Sequence, residues 1–137
     1  VFTLPNEIFY PGASASACCM IFKIGTKHNN VSNPDTFFGY YKEDGFKKKK
    51  NLGRVEQIDS NTGISKWVEI EKQWIELYRN RNAVDGLTAT HKVGGDDEWL
   101  CEAYMKTDYS SLTEKDFQKT ISEYLAYLIK EGNIYES

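Results

Sequence analysis

The sequence predicts an α+β fold, and three features of its pattern support that class. Short apolar or aromatic runs bounded by Pro, Gly and Asn are typical of strands, and they fill the first part of the chain. Residues 64–81 and 113–128 repeat apolar side chains at three- and four-residue spacing, which is typical of amphipathic helices. An Asp44-Gly45 pair among aromatic residues indicates a small hairpin. We therefore expect strands first, then a hairpin, then a helical C-terminal part.

Strand regions are predicted throughout the first 50 residues. Residues 1–4 have the character of a strand end, and residues 16–24 form a short apolar run that predicts a buried strand. Residues 25–35 are polar and predict a loop. Residues 36–50 predict the hairpin, because Asp and Gly at its centre tolerate the positive φ of a type I′ turn.

Later elements follow from periodicity and from helix start and stop signals. Beyond the first amphipathic helix, residues 87–93 predict a short strand and residues 97–105 predict a helix. The last helix has the clearest limits. Thr113 is a good N-cap because Asp116 lies three residues further on, and Gly132 is a suitable C-terminal cap.

Composition excludes several classes of protein. The 137 residues suit one domain, and a hydrophobic share of 40% with an aromatic share of 14% predicts a folded core. The 17 Lys and Arg against 20 Asp and Glu give a net charge of -3, so the chain as a whole does not attract nucleic acid or membranes. No apolar run is long enough for a membrane span, and no secretory signal opens the chain. We expect a soluble, cytoplasmic protein without a membrane partner.

Residue types that often carry chemistry do not form a recognisable site. Cys18, Cys19 and Cys101 are predicted to be buried thiols in a reducing compartment, because their number and spacing suit neither a disulfide framework nor a metal site. His28 and His91 are solitary in the sequence, so no metal is expected. The sequence contains no hydrolase elbow and no phosphate-binding loop, and no catalytic residue is assigned.

The segment at residues 4–13 reads Leu-Pro-Asn-Glu-Ile-Phe-Tyr-Pro-Gly-Ala and precedes an apolar strand. It resembles the end of the catalytic domain in amino-methylating adenine DNA methyltransferases. In that family an aromatic residue at this place helps to hold the target base, which the enzyme must take out of the stack. The resemblance implies that Phe9 contacts the base, with Tyr10 as the alternative. Packing of the ring in the core at a strand end is the competing interpretation.

The predicted hairpin carries a second and more specific pattern. An aromatic pair, a glycine, Asp-Gly-Phe and a lysine run follow one another over residues 37–50, and a Gly-Arg pair comes shortly after. This order resembles a hairpin of type I modification subunits and their relatives. Its concentrated positive charge can attract backbone phosphates, and the candidate DNA-phosphate contacts are Lys47, Lys48, Lys49, Lys50 and Arg54. Alternatively, the lysines are solvated and discourage edge pairing of the hairpin.

The C-terminal part resembles the same family, so the resemblance covers nearly the whole chain. It is carried by residues 97–105, 107–109 and 112–128. On this resemblance the chain is similar to the C-terminal part of a type I restriction-modification methylase subunit, in the family of N-6 adenine-specific DNA methyltransferases. The partners implied are DNA, the sequence-specificity subunit and the restriction subunit.

The aromatic residues expected to pack in the core are Trp67, Trp74, Trp99 and Tyr124.

Two motifs that such an enzyme needs are missing from this sequence. It has no glycine-bearing loop for the methyl donor and no Asn/Asp-Pro-Pro-Tyr/Phe segment, since Pro5, Pro11 and Pro34 are not adjacent. The resemblance implies that the parent protein transfers a methyl group from S-adenosylmethionine to adenine in DNA. This fragment is expected to bind no cofactor and to be inactive alone. Because the first residue is Val1 and not Met, we expect a piece of a longer polypeptide.

The predicted organisation has two parts. Residues 1–25 are expected to be the last strands of a methyltransferase sheet, and residues 26–137 are expected to form one compact unit of hairpin and helices. Two other function classes stay open. A non-catalytic nucleic-acid-binding module would use the hairpin lysines and nearby rings such as Tyr41 and Phe46. A protein-interaction domain would dock its C-terminal helices on a partner subunit.

Overall fold

The computed structural model describes residues 1–25 and 34–131, and the chain divides into two compact units, Val1–Thr107 and Asp108–Ser137. The first unit contains two small sheets and a helix, and the second contains a helix, so the predicted α+β class is confirmed. The predicted boundary after residue 25 stays a prediction about a longer protein. Most of the predicted loop at 25–35 and the predicted cap Gly132 lie outside the described residues.

The elements follow one another in an order that interleaves the two sheets. In chain order they are β1 (Phe2–Thr3), β2 (Cys18–Cys19), β3 (Thr36–Tyr40), β4 (Phe46–Lys49), β5 (Gly53–Glu56), α1 (Lys66–Asn80), β6 (Thr88–His91), a short 3-10 helix (Cys101–Ala103) and α2 (Glu114–Lys130). The larger sheet has the order β2-β1-β3-β6, in which only the β1–β3 pair is parallel. The smaller sheet is the antiparallel pair β4–β5. None of the helices in the described ranges is long and apolar enough to cross a bilayer.

Strand β3 lies at the centre of the first unit, and its two faces have different covers. Phe38 is fully buried in a cluster with Val93 and Cys101. Phe37 lies on the opposite face, where its ring centroid is 6.1 Å from that of Tyr78 on α1. Because successive strand residues alternate between faces, one short strand separates two small cores. Burial raises the pKa of the Cys101 thiol to about 11, and the prediction that this cysteine is buried is confirmed.

Helix α1 covers the second face of the sheet with aromatic residues. The side chain of Ser65 accepts a hydrogen bond from the backbone N–H of Trp67 and so caps the helix start. Trp74 lies 6.1 Å from Phe2 and 5.2 Å from Tyr41, measured between ring centroids. The predicted helix at 64–81 is therefore confirmed, and Trp67 and Trp74 are half-buried between the helix and its neighbours.

The hairpin forms, but its two strands and its turn lie later in the chain than predicted. Strand β4 pairs with β5, and the reversal lies between them at residues 50–52, where Asn51 has a φ of 65°. Asp44 and Gly45 do not form the turn, because the Asp44 carboxylate binds Arg54 and the backbone N–H of Phe46 instead. Strand β3, which we expected in the hairpin, pairs with β1 and β6.

The apolar run at residues 16–24 is not the buried strand that the sequence predicts. Only Cys18–Cys19 pairs, with β1, and both residues are exposed. Ile21, Phe22 and Ile24 are also exposed, and the exposed fraction of Ile24 reaches 95%. The reason is that β1 supplies a hydrogen-bonded edge, whereas no layer of the described chain covers the run. The predicted burial of the two adjacent cysteines is wrong for the same reason.

Residues 97–105 form a single 3-10 turn at Cys101–Ala103 where a longer helix was predicted. The Asp97 carboxylate accepts a hydrogen bond from the backbone N–H of Gly94, and the indole of Trp99 donates to the Gly94 carbonyl. These bonds hold a compact loop, which competes with helix formation because the acidic side chain satisfies a loop donor. Trp99 is half-buried and packs against the Phe38 cluster, as predicted.

Helix α2 begins as the sequence predicts. Thr113 and Asp116 form a capping box, in which the Asp116 carboxylate accepts hydrogen bonds from the backbone N–H and the hydroxyl of Thr113. The predicted apolar stripe is present, but Phe117 and Ile121 are exposed by 49% and 58%. Tyr124 is exposed as well within the unit of α2, and its predicted place in a core stays a prediction.

Candidate nucleic-acid interface

The basic residues predicted to contact phosphate lie on one hairpin. Lys47, Lys48 and Lys49 are on β4, Lys50 is in the turn, and all four are exposed. Their cross-strand neighbours on β5 are Val55, Arg54 and Gly53, so no carboxylate faces the three strand lysines across the pair. Adjacent cations with no opposite charge across the strand create a local positive field on an acidic chain.

Arg54 differs from the lysines because its guanidinium has a buried partner. Its Nη2 atom lies 2.6 Å from both carboxylate oxygens of Asp44, and the two side chains are 16% and 9% exposed. A guanidinium held by a carboxylate at the base of the hairpin is a structural link. The prediction that Arg54 contacts phosphate stays a prediction.

The environment of this ion pair includes a tyrosine. Desolvation and the nearby Asp44 carboxylate raise the pKa of Tyr41 to about 12. Both the Tyr41 hydroxyl and the Arg54 Nε atom are buried without a hydrogen-bond partner in the described chain. The ring of Tyr41 contacts Trp74 on α1. The hairpin base is thereby connected to the aromatic layer beneath the helix.

The segment predicted to contact a base lies against the same hairpin. Its backbone forms consecutive turns, in which the N–H groups of Ile8 and Tyr10 donate to the carbonyls of Pro5 and Glu7. Phe9 is 53% exposed, so no core formed by residues 1–25 and 34–131 holds this ring. Tyr10 is half-buried, and its role in base contact stays a prediction.

Lys48 makes a direct contact between the hairpin and this segment. Its ammonium lies 4.4 Å from the centroid of the Tyr10 ring and 3.7 Å from a carboxylate oxygen of Glu7. Within residues 1–25 and 34–131, no ion pair involves Lys47, Lys49 or Lys50. The four lysines therefore fall into two groups, one engaged and three available.

A cleft of about 400 Å³ lies between the segment, the end of β3 and the hairpin. Lys42 crosses it and donates a hydrogen bond of 2.8 Å to the side-chain oxygen of Asn6. Three cations and three carboxylates are among its lining residues, so the cleft itself is not strongly basic. Its lining consists of Pro5, Asn6, Glu7, Tyr40, Lys42, Glu43, Asp44, Phe46, Lys47 and Arg54.

The contacts that assemble this face have no counterpart in the sequence pattern. The Asp44–Arg54 pair and the Lys48–Tyr10 contact each join two residues that are not neighbours in the sequence. No local motif indicates either contact. The register that places Lys48 directly opposite Arg54 was not predicted either, because the sequence indicates a turn at Asp44 and Gly45. Among the described residues, no group of three or more His, Cys, Asp or Glu has the arrangement of a metal site.

Comparison with curated proteins gives a distant relative. Over 127 residues the chain is 29% identical to the protein named Type II restriction enzyme and methyltransferase RM.BcgI from Heyndrickxia coagulans. The matched region is 93% of this chain but 18% of that protein, so the chain spans about a fifth of the relative's length. The chain is thus related, distantly, to a restriction-modification methyltransferase. No family model matches it, and no solved structure gives a significant match.

Proposed function

We propose that this chain is the C-terminal part of an adenine-specific DNA methyltransferase of a restriction-modification system, and that it supplies contacts to DNA. Transfer of the methyl group from S-adenosylmethionine would belong to other parts of the enzyme, because the sequence here has neither donor loop nor catalytic motif. The observation that carries the proposal is the similarity over 93% of this chain to a much longer restriction enzyme and methyltransferase.

The charge distribution supports DNA as the partner of the hairpin. Lys47, Lys49 and Lys50 are exposed and free of ion pairs within residues 1–25 and 34–131. Each lysine that neutralises a phosphate releases condensed counterions, and this release favours binding at low salt. Such contacts fix the position of the protein on the duplex and carry no sequence information.

A salt titration tests the hairpin as a DNA contact. Fluorescence anisotropy with a labelled 20-base-pair duplex measures the affinity of the chain and of a variant that combines Lys47→Gln, Lys49→Gln and Lys50→Gln. The variant is expected to bind more weakly and to reduce the slope of log K against log salt by about 0.9 for each phosphate that a lysine no longer neutralises.

The matched control replaces three lysines of α2 and so removes the same net charge from the chain. Lys115→Gln, Lys119→Gln and Lys130→Gln together lower the charge of the chain equally without touching the hairpin. Affinity and slope are expected to stay close to those of the unmodified chain. Equal decreases in both triple variants would mean that only net charge matters, and the hairpin would lose its proposed role.

The exposed ring of Phe9 supports a contact with an extruded base. A ring face replaces part of the stacking energy that a base loses when it leaves the duplex. In the full-length enzyme, Phe9→Ala is expected to slow methylation while the affinity for S-adenosylmethionine stays unchanged. Undiminished turnover would remove Phe9 from the site. Calorimetry of this chain alone is expected to detect no saturable binding of the methyl donor.

A second candidate function, protein docking, is favoured by the exposed stripe of α2. Phe117, Ile121 and Leu125 are all exposed on one helix, and contiguous exposed apolar residues often mark interaction sites. We propose the sequence-specificity subunit as the partner and the restriction subunit as the alternative. A pull-down that survives the hairpin substitutions but fails on Phe117→Ser with Leu125→Ser, in a chain with an unchanged thermal transition, would support this role.

A further inference from the structure

We propose that Lys48 is a positioning residue and not a phosphate contact. In this role it ties the basic hairpin to the turns at residues 5–13 and holds Phe9 at the edge of the DNA-binding face. The proposal rests on the proposed function, since it assumes that the hairpin binds DNA. It separates Lys48 from its three neighbours, which the sequence alone treats as equivalent.

Strand geometry gives the first reason. Side chains alternate between the two faces of a strand, so Phe46 and Lys48 share one face of β4, whereas Lys47 and Lys49 share the other. The face of Phe46 and Lys48 also carries Arg54, which pairs directly with Lys48 and lies 5.5 Å from the centroid of the Phe46 ring. Arg54 is held by Asp44 at the hairpin base. Lys48 therefore lies on the face that the hairpin uses for internal contacts.

The surroundings of the ammonium group give the second reason. Lys48 Nζ has an aromatic ring at 4.4 Å and a carboxylate oxygen at 3.7 Å, and both belong to the same short segment. A cation over a ring face is attracted by the quadrupole of the ring, and the Glu7 carboxylate adds an opposite charge. An ammonium turned towards a phosphate would leave both partners, and the Glu7 carboxylate would then oppose the approach of the anion.

The hairpin approaches the segment at a second point. A side chain on Gly53, in β5, would come within 4.0 Å of Pro11. The residue next to Tyr10 is Phe9, whose carbonyl accepts a hydrogen bond from the N–H of Ala13 and closes the next turn. The position of the Phe9 ring relative to the hairpin thus depends on contacts made by its neighbour, and Lys48 supplies the charged one.

Single substitutions distinguish the two roles by their salt dependence. Lys47→Gln and Lys49→Gln are each expected to lower the slope of log K against log salt by about 0.9 in anisotropy titrations of the chain with a 20-base-pair duplex that contains one unpaired adenine. Lys48→Gln is expected to weaken binding about threefold with the slope unchanged, as removal of an exposed cation–π interaction would do. Lys48→Arg keeps both the charge and the ring contact and is expected to restore the affinity.

A double-mutant cycle tests whether Lys48 acts through Phe9. If it does, Lys48→Gln combined with Phe9→Ala binds no more weakly than Phe9→Ala alone. Independent, additive decreases in affinity overturn the proposal, and so does a slope for Lys48→Gln that falls as far as that for Lys47→Gln. If Lys47→Gln and Lys49→Gln leave both affinity and slope unchanged, the proposed DNA contact fails first, and the result is distinguishable from a failure of Lys48 alone.

Discussion

Helices α1 and α2 are alike in sequence pattern and unlike in surroundings. They have 15 and 17 residues, both are amphipathic, and both start at a hydroxyl N-cap. The aromatic side of α1 covers Phe2 and Phe37 through Trp74 and Tyr78, whereas the apolar stripe of α2 is exposed within its unit. Periodicity therefore predicts which side of a helix packs against other residues. It does not say whether those residues belong to the same chain or to another molecule.

The largest expected effect comes from removing the cover at α1. Trp74→Ala should lower the free energy of unfolding by about 3 kcal/mol, near the lower end for large aromatic residues because Trp74 is half-buried. The corresponding change on α2, Tyr124→Ala, should change it by less than about 0.5 kcal/mol. Denaturant unfolding followed by far-ultraviolet circular dichroism, which reports on both helices, measures both. Equal decreases would mean that α2 is packed as tightly as α1.

A smaller decrease is expected where the sheet and α1 approach each other at Gly39. A Cβ on Gly39 would come within 2.6 Å of the Phe2 ring and 2.8 Å of the Trp74 ring. Gly39→Ala should therefore cost about 2 kcal/mol through overpacking, measured by the same unfolding experiment. Gly95→Ala is the control, because a Cβ there meets no atom within 4 Å of the described chain. A stable Gly39→Ala variant would show that the rings move aside freely.

The two N-caps should respond similarly in free energy but differently in structure. Ser65→Ala and Thr113→Ala each remove a capping hydrogen bond that contributes about 1 kcal/mol. Helix α1 keeps its cover, so its amides should stay protected from hydrogen exchange. The described residues of the second unit contain no other helix or strand, so within that unit α2 depends on its own cap, because helices of this length are marginal in water without packing. Unchanged protection of α2 in Thr113→Ala would mean that another contact holds it.

The smallest expected effect is a loss of stability at alkaline pH, which arises in the unit that contains the sheets. The folded pKa of Cys101 is about 11, above its ordinary value of 9.0, so the folded state holds this proton more tightly than the unfolded state. Stability is then complete below the unfolded pKa and falls as the pH rises towards the folded pKa. We expect a loss of less than about 1 kcal/mol by about pH 9.5. Cys101→Ala should remove that slope in pH-dependent denaturation, and a slope retained in the variant would assign it to another group.

Local signals predicted the elements whose stability is local. The capping box at Thr113 and Asp116, the α1 periodicity and the short strand Thr88–His91 are all present where the sequence places them. The hairpin was misplaced because Asp44 and Gly45 satisfy the local rule for a turn, but a long-range partner, Arg54, binds the carboxylate instead. Turn propensity alone does not include that competing contact.

Burial was harder to predict from the sequence than secondary structure. The apolar run at 16–24 and the stripe of α2 satisfy the pattern of buried elements, yet the run is exposed in the described chain and the stripe is exposed within its unit. An apolar pattern indicates that a surface is covered in the functional protein. The residues that cover it can belong to a partner or to a further part of the polypeptide. The lysine run was recognisable from the sequence, whereas its division into one engaged and three available lysines depends on the Lys48–Tyr10 contact.

The exposed edge at β2 also has a consequence for handling the protein. Among the described residues, β2 is an edge strand beside the exposed Met20, Ile21, Phe22 and Ile24, and an edge with apolar side chains promotes self-association. Concentrated solutions of this polypeptide should therefore lose monomer with time. An added charge, such as Ile24→Lys at the most exposed of these positions, should preserve it.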